Sequence, residues 1–340
     1  MIVDGVLLGN RTDSDPAATL RLAGLADQLG FGELWLGEST GHDAFALAVA
    51  VDAAARAAER VGPVEPAPAG RAGRPPHSAS FCIGPLPAAV RDPVTAARGA
   101  ASVAALTGRE TGLALTASTG LVVVDWHGRP RTDPATALAE SLTVLRPLVR
   151  GEPVSFTGVS VRSRNFTSSL PASKASLTVL AFGVESSEVA VGRADRVAVP
   201  LATVEHAARI KARLALTADR YGRSTPKLAV FLPTVVDPDA ESLDWLRRSL
   251  LPYLDADGFG RMFAEAGHSE LVDLARGGAH PRSLMAAMPE EVLRSVTAIG
   301  DLNTVCSAYE DYRHAGVDEI VMLPESYSPA VTERTLRALA

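Results

Sequence analysis

Short apolar runs alternate along this chain with longer segments in which apolar residues recur at helical spacing. Eight runs predict buried strands: Val3–Leu8, Leu34–Gly37, Ala79–Gly84, Gly112–Thr116, Leu177–Ala181, Arg196–Val199, Leu228–Thr234 and Glu319–Leu323. Seven segments predict amphipathic helices: Pro16–Leu29, Asp43–Arg60, Pro93–Leu106, Pro134–Val149, Ser186–Arg193, Thr203–Tyr221 and Leu302–His314. This alternation predicts an α/β fold, a (β/α)8 TIM barrel; a doubly wound open sheet is the alternative.

The helix boundaries carry their own sequence signals. Asp15, Asp92 and Asp133 each precede a proline, a pair that caps a helix and opens its first turn. Gly30 and Gly108 follow predicted helices, where a left-handed residue is needed. These signals support the predicted helices.

Two segments depart from the alternation. The stretch 62–76, GPVEPAPAGRAGRPP, is rich in proline and glycine and predicts a flexible surface loop. The stretch 237–297 carries several helical patterns and exceeds one βα unit, so it predicts a helical insertion that caps the carboxyl-terminal end of the barrel. We therefore expect a single barrel domain over residues 1–340.

Composition narrows the class of protein. The 340 residues are 47% hydrophobic and carry a net charge of −6, which argues against a nucleic-acid partner and against a polybasic membrane anchor. Neither a signal peptide nor a transmembrane run is apparent, and Cys82 and Cys306 lack metal-ligand spacing. We expect a cytoplasmic protein without zinc or disulfides.

Ionisable residues collect directly after the second predicted strand. Leu34–Gly37 leads into a loop that holds Glu38, His42 and Asp43, and a helix follows at once. The carboxyl ends of barrel strands are where such folds bind ligands, so this loop is a candidate site. Asp43 also has the position of a helix N-cap, and we favour that role for it.

Four segments, taken in order, resemble the luciferase-like monooxygenase superfamily and its branch that uses the deazaflavin F420. The first is GFGELWLGESTGHDAF; the others are Arg91–Glu110, with Thr107-Gly108-Arg109 in place of an "SGGR" ending, Val144–Gly158 and Ala298–Pro324. Each segment is weak alone, and their order and spacing carry the resemblance. It implies a barrel that holds coenzyme F420, or FMN as the alternative, at the carboxyl ends of its strands.

The resemblance also implies residues for the cofactor. They are Glu38 and Ser39 after strand two; Ser80, Phe81 and Cys82 in strand three, where the family has a bulge and often a non-prolyl cis peptide; Thr116, Ser118 and Thr119 after strand four; and Phe182, Gly183, Val184 and Ser186 at a helix start that suits a phosphate. Each set also fits an ordinary strand, loop or capping turn. Cys82 has no basic neighbour in sequence, so we do not expect a nucleophile.

The resemblance implies a catalytic role for Glu38, as a proton relay or as an acceptor for the cofactor ring. Ser39 stands where many F420 enzymes have histidine, and serine does not titrate near pH 7. His42 is the nearest imidazole and the second catalytic candidate; a capping or solvent-facing role is the alternative. Trp126 and His127 follow strand four and are candidates for substrate binding, although Trp126 also suits loop packing.

The leading hypothesis is an F420-dependent oxidoreductase. It would transfer a hydride between the deazaflavin and an activated C=C or C=N bond of a specialised metabolite, such as a dehydroamino acid in a modified peptide. An FMN-dependent monooxygenase is the first alternative, and a non-catalytic barrel that acts as a binding or scaffold subunit is the second. The expected partners are a small-molecule or peptide substrate and a second copy in a homodimer.

Overall fold

The structure is a computed structural model that describes residues 3–8, 16–38, 41–59, 78–182, 184–324 and 328–340. The predicted loop at 62–76 lies outside these residues, as do Asp15, Ser39 and Gly183. All eight predicted strands lie within them, although their observed bounds differ by a few residues.

The described chain contains eleven strands, eight of which form a barrel. In chain order they are β1 Gly5–Leu8, β2 Glu33–Leu36, β3 Ser80–Pro87, β4 Thr111–Thr116, β5 Val154–Thr157, β6 Arg162–Phe166, β7 Leu177–Leu180, β8 Arg196–Pro200, β9 Lys227–Val236, β10 Ala298–Gly300 and β11 Glu319–Leu323. The parallel order β9-β11-β1-β2-β3-β4-β7-β8 closes because β8 also pairs with β9. Closure confirms the predicted barrel and excludes the open sheet. The remaining strands are β10, which pairs in parallel with the carboxyl-terminal end of β9, and β5 and β6, which form an antiparallel hairpin.

Helices surround the barrel. In the described residues they are α1 Pro16–Gln28, α2 Ala44–Glu59, α3 Pro93–Thr107, α4 Pro134–Val149, α5 Val184–Ala190, α6 Val204–Arg220, α7 Ala240–Leu254, α8 Phe259–Phe263, α9 Ser269–Arg276, α10 Pro281–Ala287, α11 Glu290–Arg294, α12 Leu302–His314 and α13 Pro329–Leu339. Asp92 and Asp133 accept hydrogen bonds from the backbone amides of Thr95 and Thr136, which confirms them as N-caps of α3 and α4. No described helix has both the length and the hydropathy of a membrane span.

Between β9 and β10 the chain forms α7–α11 instead of one crossover helix. These helices occupy the segment 237–297 in which sequence patterns predict an insertion. α7 and α8 contribute Leu250, Tyr253 and Phe259 to the wall of a cavity at the barrel mouth. The segment therefore helps to shape the site described below.

Apolar side chains fill two layers. The larger layer lies between the strands and the helices, and a smaller one fills the barrel interior around Trp35. The indole of Trp35 is fully buried, and the ring of Phe231 meets it edge-on with centroids 4.9 Å apart. Ala114, Ala198 and Ala229 share this interior, and their small side chains leave room for the indole.

An ionic cluster lies at the amino-terminal end of the barrel interior. Arg196, at the start of β8, contacts Glu33 at 2.8 Å and Glu319 at 2.6 Å, and its guanidinium lies 4.5 Å from the Trp35 ring. Nη2 of Arg196 is 3.6 Å from Sγ of Cys82. Burial raises the pKa of the Cys82 thiol well above its usual value, which agrees with the expectation that Cys82 is not a nucleophile.

Candidate active site

A cavity of about 560 Å³ lies at the carboxyl-terminal end of the barrel strands. Its floor consists of apolar side chains from the strand ends, namely Leu7, Leu180, Phe231 and Leu323. These residues are close to Trp35, which fills the interior beneath them. A concave site of this size with an apolar floor is typical of small-molecule binding.

Glu38 lines this cavity from the end of β2, as predicted. Arg91 holds it by two hydrogen bonds: Nε donates to Oε1 at 2.9 Å and Nη2 donates to Oε2 at 2.5 Å. This hydrogen bonding to Glu38 raises the pKa of Arg91, so the guanidinium stays charged. The fork-shaped pairing fixes the carboxylate while leaving lone pairs free to accept from a ligand.

Arg91 also joins Glu38 to the start of α2. Nη2 contacts Oδ2 of Asp43 at 2.6 Å, and Oδ1 of Asp43 accepts from the amides of Phe45 and Ala46 at 3.0 Å. These bonds confirm Asp43 as the N-cap. Partial burial opposes the charge on Asp43, but the Ala46 amide and Arg91 outweigh it and lower the pKa.

The chain after β4 supplies hydroxyls to the cavity from Thr116, Ser118 and Thr119. The amide of Ser118 donates to Oγ1 of Thr116 at 3.1 Å, and the left-handed φ of 57° at Ser118 bends the chain there. Arg131 locks the turn because Nε and Nη2 both donate to the Ser118 carbonyl, at 3.1 and 2.9 Å. The hydroxyl protons remain available to a ligand acceptor.

Trp126 and His127 lie at the mouth of the cavity. Trp126 ends a π-helical turn that starts at Leu121, and its side chain is 46% exposed although it lines the cavity. Leu121 and Val124 of the same turn are also exposed. The mouth of the cavity therefore presents the exposed aromatic ring of Trp126 to a ligand.

Phe182 forms the opposite wall within an aromatic stack. Phe259 of α8 lies on its ring with centroids 3.7 Å apart, and His206 of α6 stacks behind it at 4.5 Å. Burial lowers the pKa of His206, and its Nε2 has no hydrogen-bond partner among the described residues. The phosphate-binding role of Gly183, Val184 and Ser186 stays a prediction, because Gly183 lies outside the described residues.

Strand β3 does not present its predicted cofactor residues to this cavity. Oγ of Ser80 donates to the Gly32 carbonyl, Phe81 lies under Arg109 at 4.9 Å, and Cys82 is buried in the barrel interior. The strand continues to Pro87, and its cavity-lining residues are Pro85 and Pro87.

The expected bulge of β3 occurs between Ile83 and Leu86, and the cis peptide is the prolyl bond Gly84–Pro85. Ser80, Phe81 and Cys82 therefore lie earlier in the strand than the residues that line the cavity, and their contact with a cofactor stays a prediction. His42 is also absent from the cavity lining: its side chain is exposed in the turn before α2.

Two arginines of the site were missed. Arg91 directly precedes the N-cap Asp92, and Arg131 precedes Asp133 by two residues, so both belong to connections at the carboxyl ends of β3 and β4. A charged residue in a connection at the carboxyl end of a barrel strand is a sequence signal for a ligand-binding residue. Both connections also carry the helix caps Asp92 and Asp133, and a capping pattern does not indicate what the neighbouring side chains contact.

The cavity suits a planar tricyclic cofactor such as a flavin or deazaflavin. Its floor is apolar, Phe182 and Phe259 contribute aromatic side chains to its wall, and polar groups at the edge comprise the Glu38 carboxylate and the hydroxyls of Thr116, Ser118 and Thr119. This matches a ring system with a hydrophobic body and one polar edge. Among the described residues, no group of three His, Cys, Asp or Glu side chains could hold a metal ion.

Solved structures share this fold. The coenzyme F420-dependent tetrahydromethanopterin reductase of Methanopyrus kandleri superposes with a TM-score of 0.79 at 16% identity, over 99% of this chain and 96% of that one. An F420-dependent secondary alcohol dehydrogenase in complex with an F420–acetone adduct gives 0.73 at 15% identity, over 99% and 97%. The oxygenating constituent of 3,6-diketocamphane monooxygenase from Pseudomonas putida, in complex with FMN, gives 0.70 at 14% identity, over 100% and 96%.

At these identities the likeness shows the fold alone. No curated protein sequence matches the chain. A family model is more specific: the one described as luciferase-like monooxygenase matches residues 80–319, which is well over half of the chain. The chain belongs to the luciferase-like monooxygenase family.

Proposed function

We propose that this protein is an F420-dependent oxidoreductase that transfers a hydride between the deazaflavin and an activated C=C or C=N bond. The observation that carries the proposal is the Glu38–Arg91 pair, set at the polar edge of an apolar cavity at the carboxyl end of the barrel. Two enzymes with this fold, a tetrahydromethanopterin reductase and a secondary alcohol dehydrogenase, are F420-dependent. When bound, F420 supplies the carbon that gives or takes the hydride.

The side chains of the cavity bind the ring, hold its position and exclude water. Glu38, fixed by Arg91, would accept a hydrogen bond from the polar edge of the ring, and the hydroxyls of Thr116 and Ser118 would donate to its acceptors. Phe182 covers one face of the cavity, and its contacts with Phe259 hold that wall in place. Apolar walls exclude water from the transfer.

The exposed ring of Trp126 at the mouth suits a substrate with bulk outside the cavity. Val122 and Trp126 offer apolar contact area there, and His127 adds a polar group. A specialised metabolite such as a modified peptide that carries a dehydroamino acid fits this description. The homodimer and the cytoplasmic location stay predictions.

An FMN-dependent monooxygenase is the second candidate, because one structure of this fold contains FMN. A titration of the purified protein with each cofactor, followed by fluorescence, distinguishes the two. We expect micromolar binding of F420, anaerobic turnover with reduced F420 and none with reduced FMN. Oxygen-dependent turnover with reduced FMN would support the alternative, and failure to bind either cofactor would indicate a non-catalytic barrel.

Glu38→Gln tests the assigned carboxylate, with His42→Gln as its matched control from the same loop. Loss of the charged acceptor is expected to weaken F420 binding about ten- to 150-fold, since hydrogen bonds to charged groups contribute roughly 1.5–3 kcal/mol. His42→Gln should bind F420 as the wild type does, because His42 is exposed and outside the lining. Equal losses in both variants would refute the role of Glu38.

A further inference from the structure

A second cavity, of about 440 Å³, adjoins the candidate active site. The two cavities share Ala117 and Arg131, so the Arg131 guanidinium lies at their junction. The connection that follows β3, the start of α4 and the turn of the β5–β6 hairpin form its walls. We call it the arginine groove after Arg129, Arg131 and Arg162, which line it.

Positively charged side chains outnumber negatively charged ones in the lining of the arginine groove. Arg129 and Arg162 have exposed side chains with no hydrogen-bond or ion-pair partner among the described residues, and Arg131 donates to an uncharged carbonyl. The two acidic residues in the lining, Asp92 and Asp133, are occupied as N-caps of α3 and α4. The lining therefore carries three guanidinium groups against two carboxylates, an excess of positive charge on a chain whose net charge is −6.

The hairpin that carries Arg162 is held in place from α4. Both carboxylate oxygens of Glu140 accept from the backbone amides of Val159, Ser160 and Val161, at 2.7 to 2.9 Å. Arg162 follows these three residues directly and begins β6. Its position beside the groove is therefore fixed by backbone contacts, which leaves its guanidinium free for a ligand.

We propose that the arginine groove binds an anionic chain, bearing carboxylates or phosphates, of a ligand whose other part occupies the candidate active site. Guanidinium groups pair with both kinds of oxyanion by two parallel hydrogen bonds. Two sources share this chemistry: the oligoglutamyl tail of F420, or an acidic substituent of the substrate. The inference rests on the proposed function where the source is F420.

The test compares F420 that carries a long oligoglutamyl tail with the form that lacks glutamates, by fluorescence titration of the whole chain. The tailed form is expected to bind about three- to tenfold more tightly at low salt, and the difference should shrink at high salt because these charges are exposed. The double variant Arg129→Gln/Arg162→Gln should abolish the difference. Arg98→Gln, an exposed arginine of α3 outside the groove, is the matched control and should preserve it.

An oligoglutamate peptide, titrated alone, distinguishes the sources. If both forms of F420 bind equally but the peptide binds the wild type and not the double variant, the groove serves an acidic substrate. If both forms bind equally and the peptide does not bind, the inference is overturned while the proposed function stands. If neither form of F420 binds, the proposed function fails, and the peptide alone decides for or against the groove.

Discussion

Arg109 offers the sharpest test of how this barrel is held together. It precedes β4 and is almost fully buried, with a side chain only 6% exposed. Nη1 and Nη2 donate to both oxygens of Asp27 at 3.0 and 2.8 Å, and Nε donates to Asp52 at 2.7 Å. A fourth hydrogen bond reaches the carbonyl of Ala79. This one guanidinium therefore joins α1, α2 and the residue before β3 to the start of β4.

The substitution Arg109→Met replaces the guanidinium by a shorter, unbranched apolar side chain and removes all four hydrogen bonds. Asp27, with a fully buried side chain, then loses its cationic partner, and an uncompensated buried charge of this kind costs about 3–5 kcal/mol. Although burial opposes the charge on Arg109, its bonds to Asp27 and Asp52 raise its pKa, so the native pair stays ionised. Arg109→Lys keeps the charge but not the fork, and an intermediate loss is expected.

Urea unfolding followed by circular dichroism measures the effect as a change in the free energy of unfolding. Arg337→Met is the matched control, because Arg337 pairs with Glu333 on the surface of α13 and both side chains are well exposed. An exposed pair contributes about 1 kcal/mol or less. If Arg109→Met cost no more than Arg337→Met, the buried cluster would not be a structural clamp and the reasoning would be refuted.

Three further predictions concern other described contacts. In Glu140→Gln the backbone amides of Val159, Ser160 and Val161 should exchange hydrogen for deuterium faster than in the wild type, measured by hydrogen–deuterium exchange. Although burial opposes the charge on Glu140, its hydrogen bonds with these amides lower its pKa. The anchoring is therefore present at neutral pH and is lost as the pH falls below about 4.5. Thr203→Ala removes the N-cap of α6 and should lower the free energy of unfolding by about 1 kcal/mol, measured by urea denaturation. Alkylation of the native protein followed by mass spectrometry should modify Cys306 before Cys82, since burial raises the pKa of Cys82; equal labelling would contradict this.

The barrel strands were predictable because each is a buried apolar run between helices, and apolar patterning is set by burial. The hairpin β5–β6 was missed for the same reason: β6, RSRNF, is polar and exposed, so nothing in its pattern distinguishes it from a loop. β10 has only three residues, too few for any period to show. α13 was overlooked although Pro329 and the spaced Leu336 and Leu339 were usable signals.

The candidate site was predictable as far as chain position decides it. Thr116, Ser118 and Phe182 lie at strand ends, and strand ends of a barrel converge at one face. The residues predicted from β3 lie away from the cavity because the strand continues past them to Pro87, so Cys82 lies deep in the interior. His42 is exposed beside Asp43, which pairs with Arg91 from the connection after β3, a tertiary contact that no local pattern encodes.

The filled interior of the barrel has a consequence for kinetics. In the described part of the chain, Trp35 and the Arg196 cluster block the barrel beneath the cavity, so molecules reach the floor from the mouth. A ring that lies on Phe231 and Leu7 has to arrive before a second molecule covers it and can leave only after that molecule departs. For the proposed enzyme we therefore expect a compulsory order, cofactor first and last, in which the second reactant at saturating concentration traps the cofactor and slows its exchange.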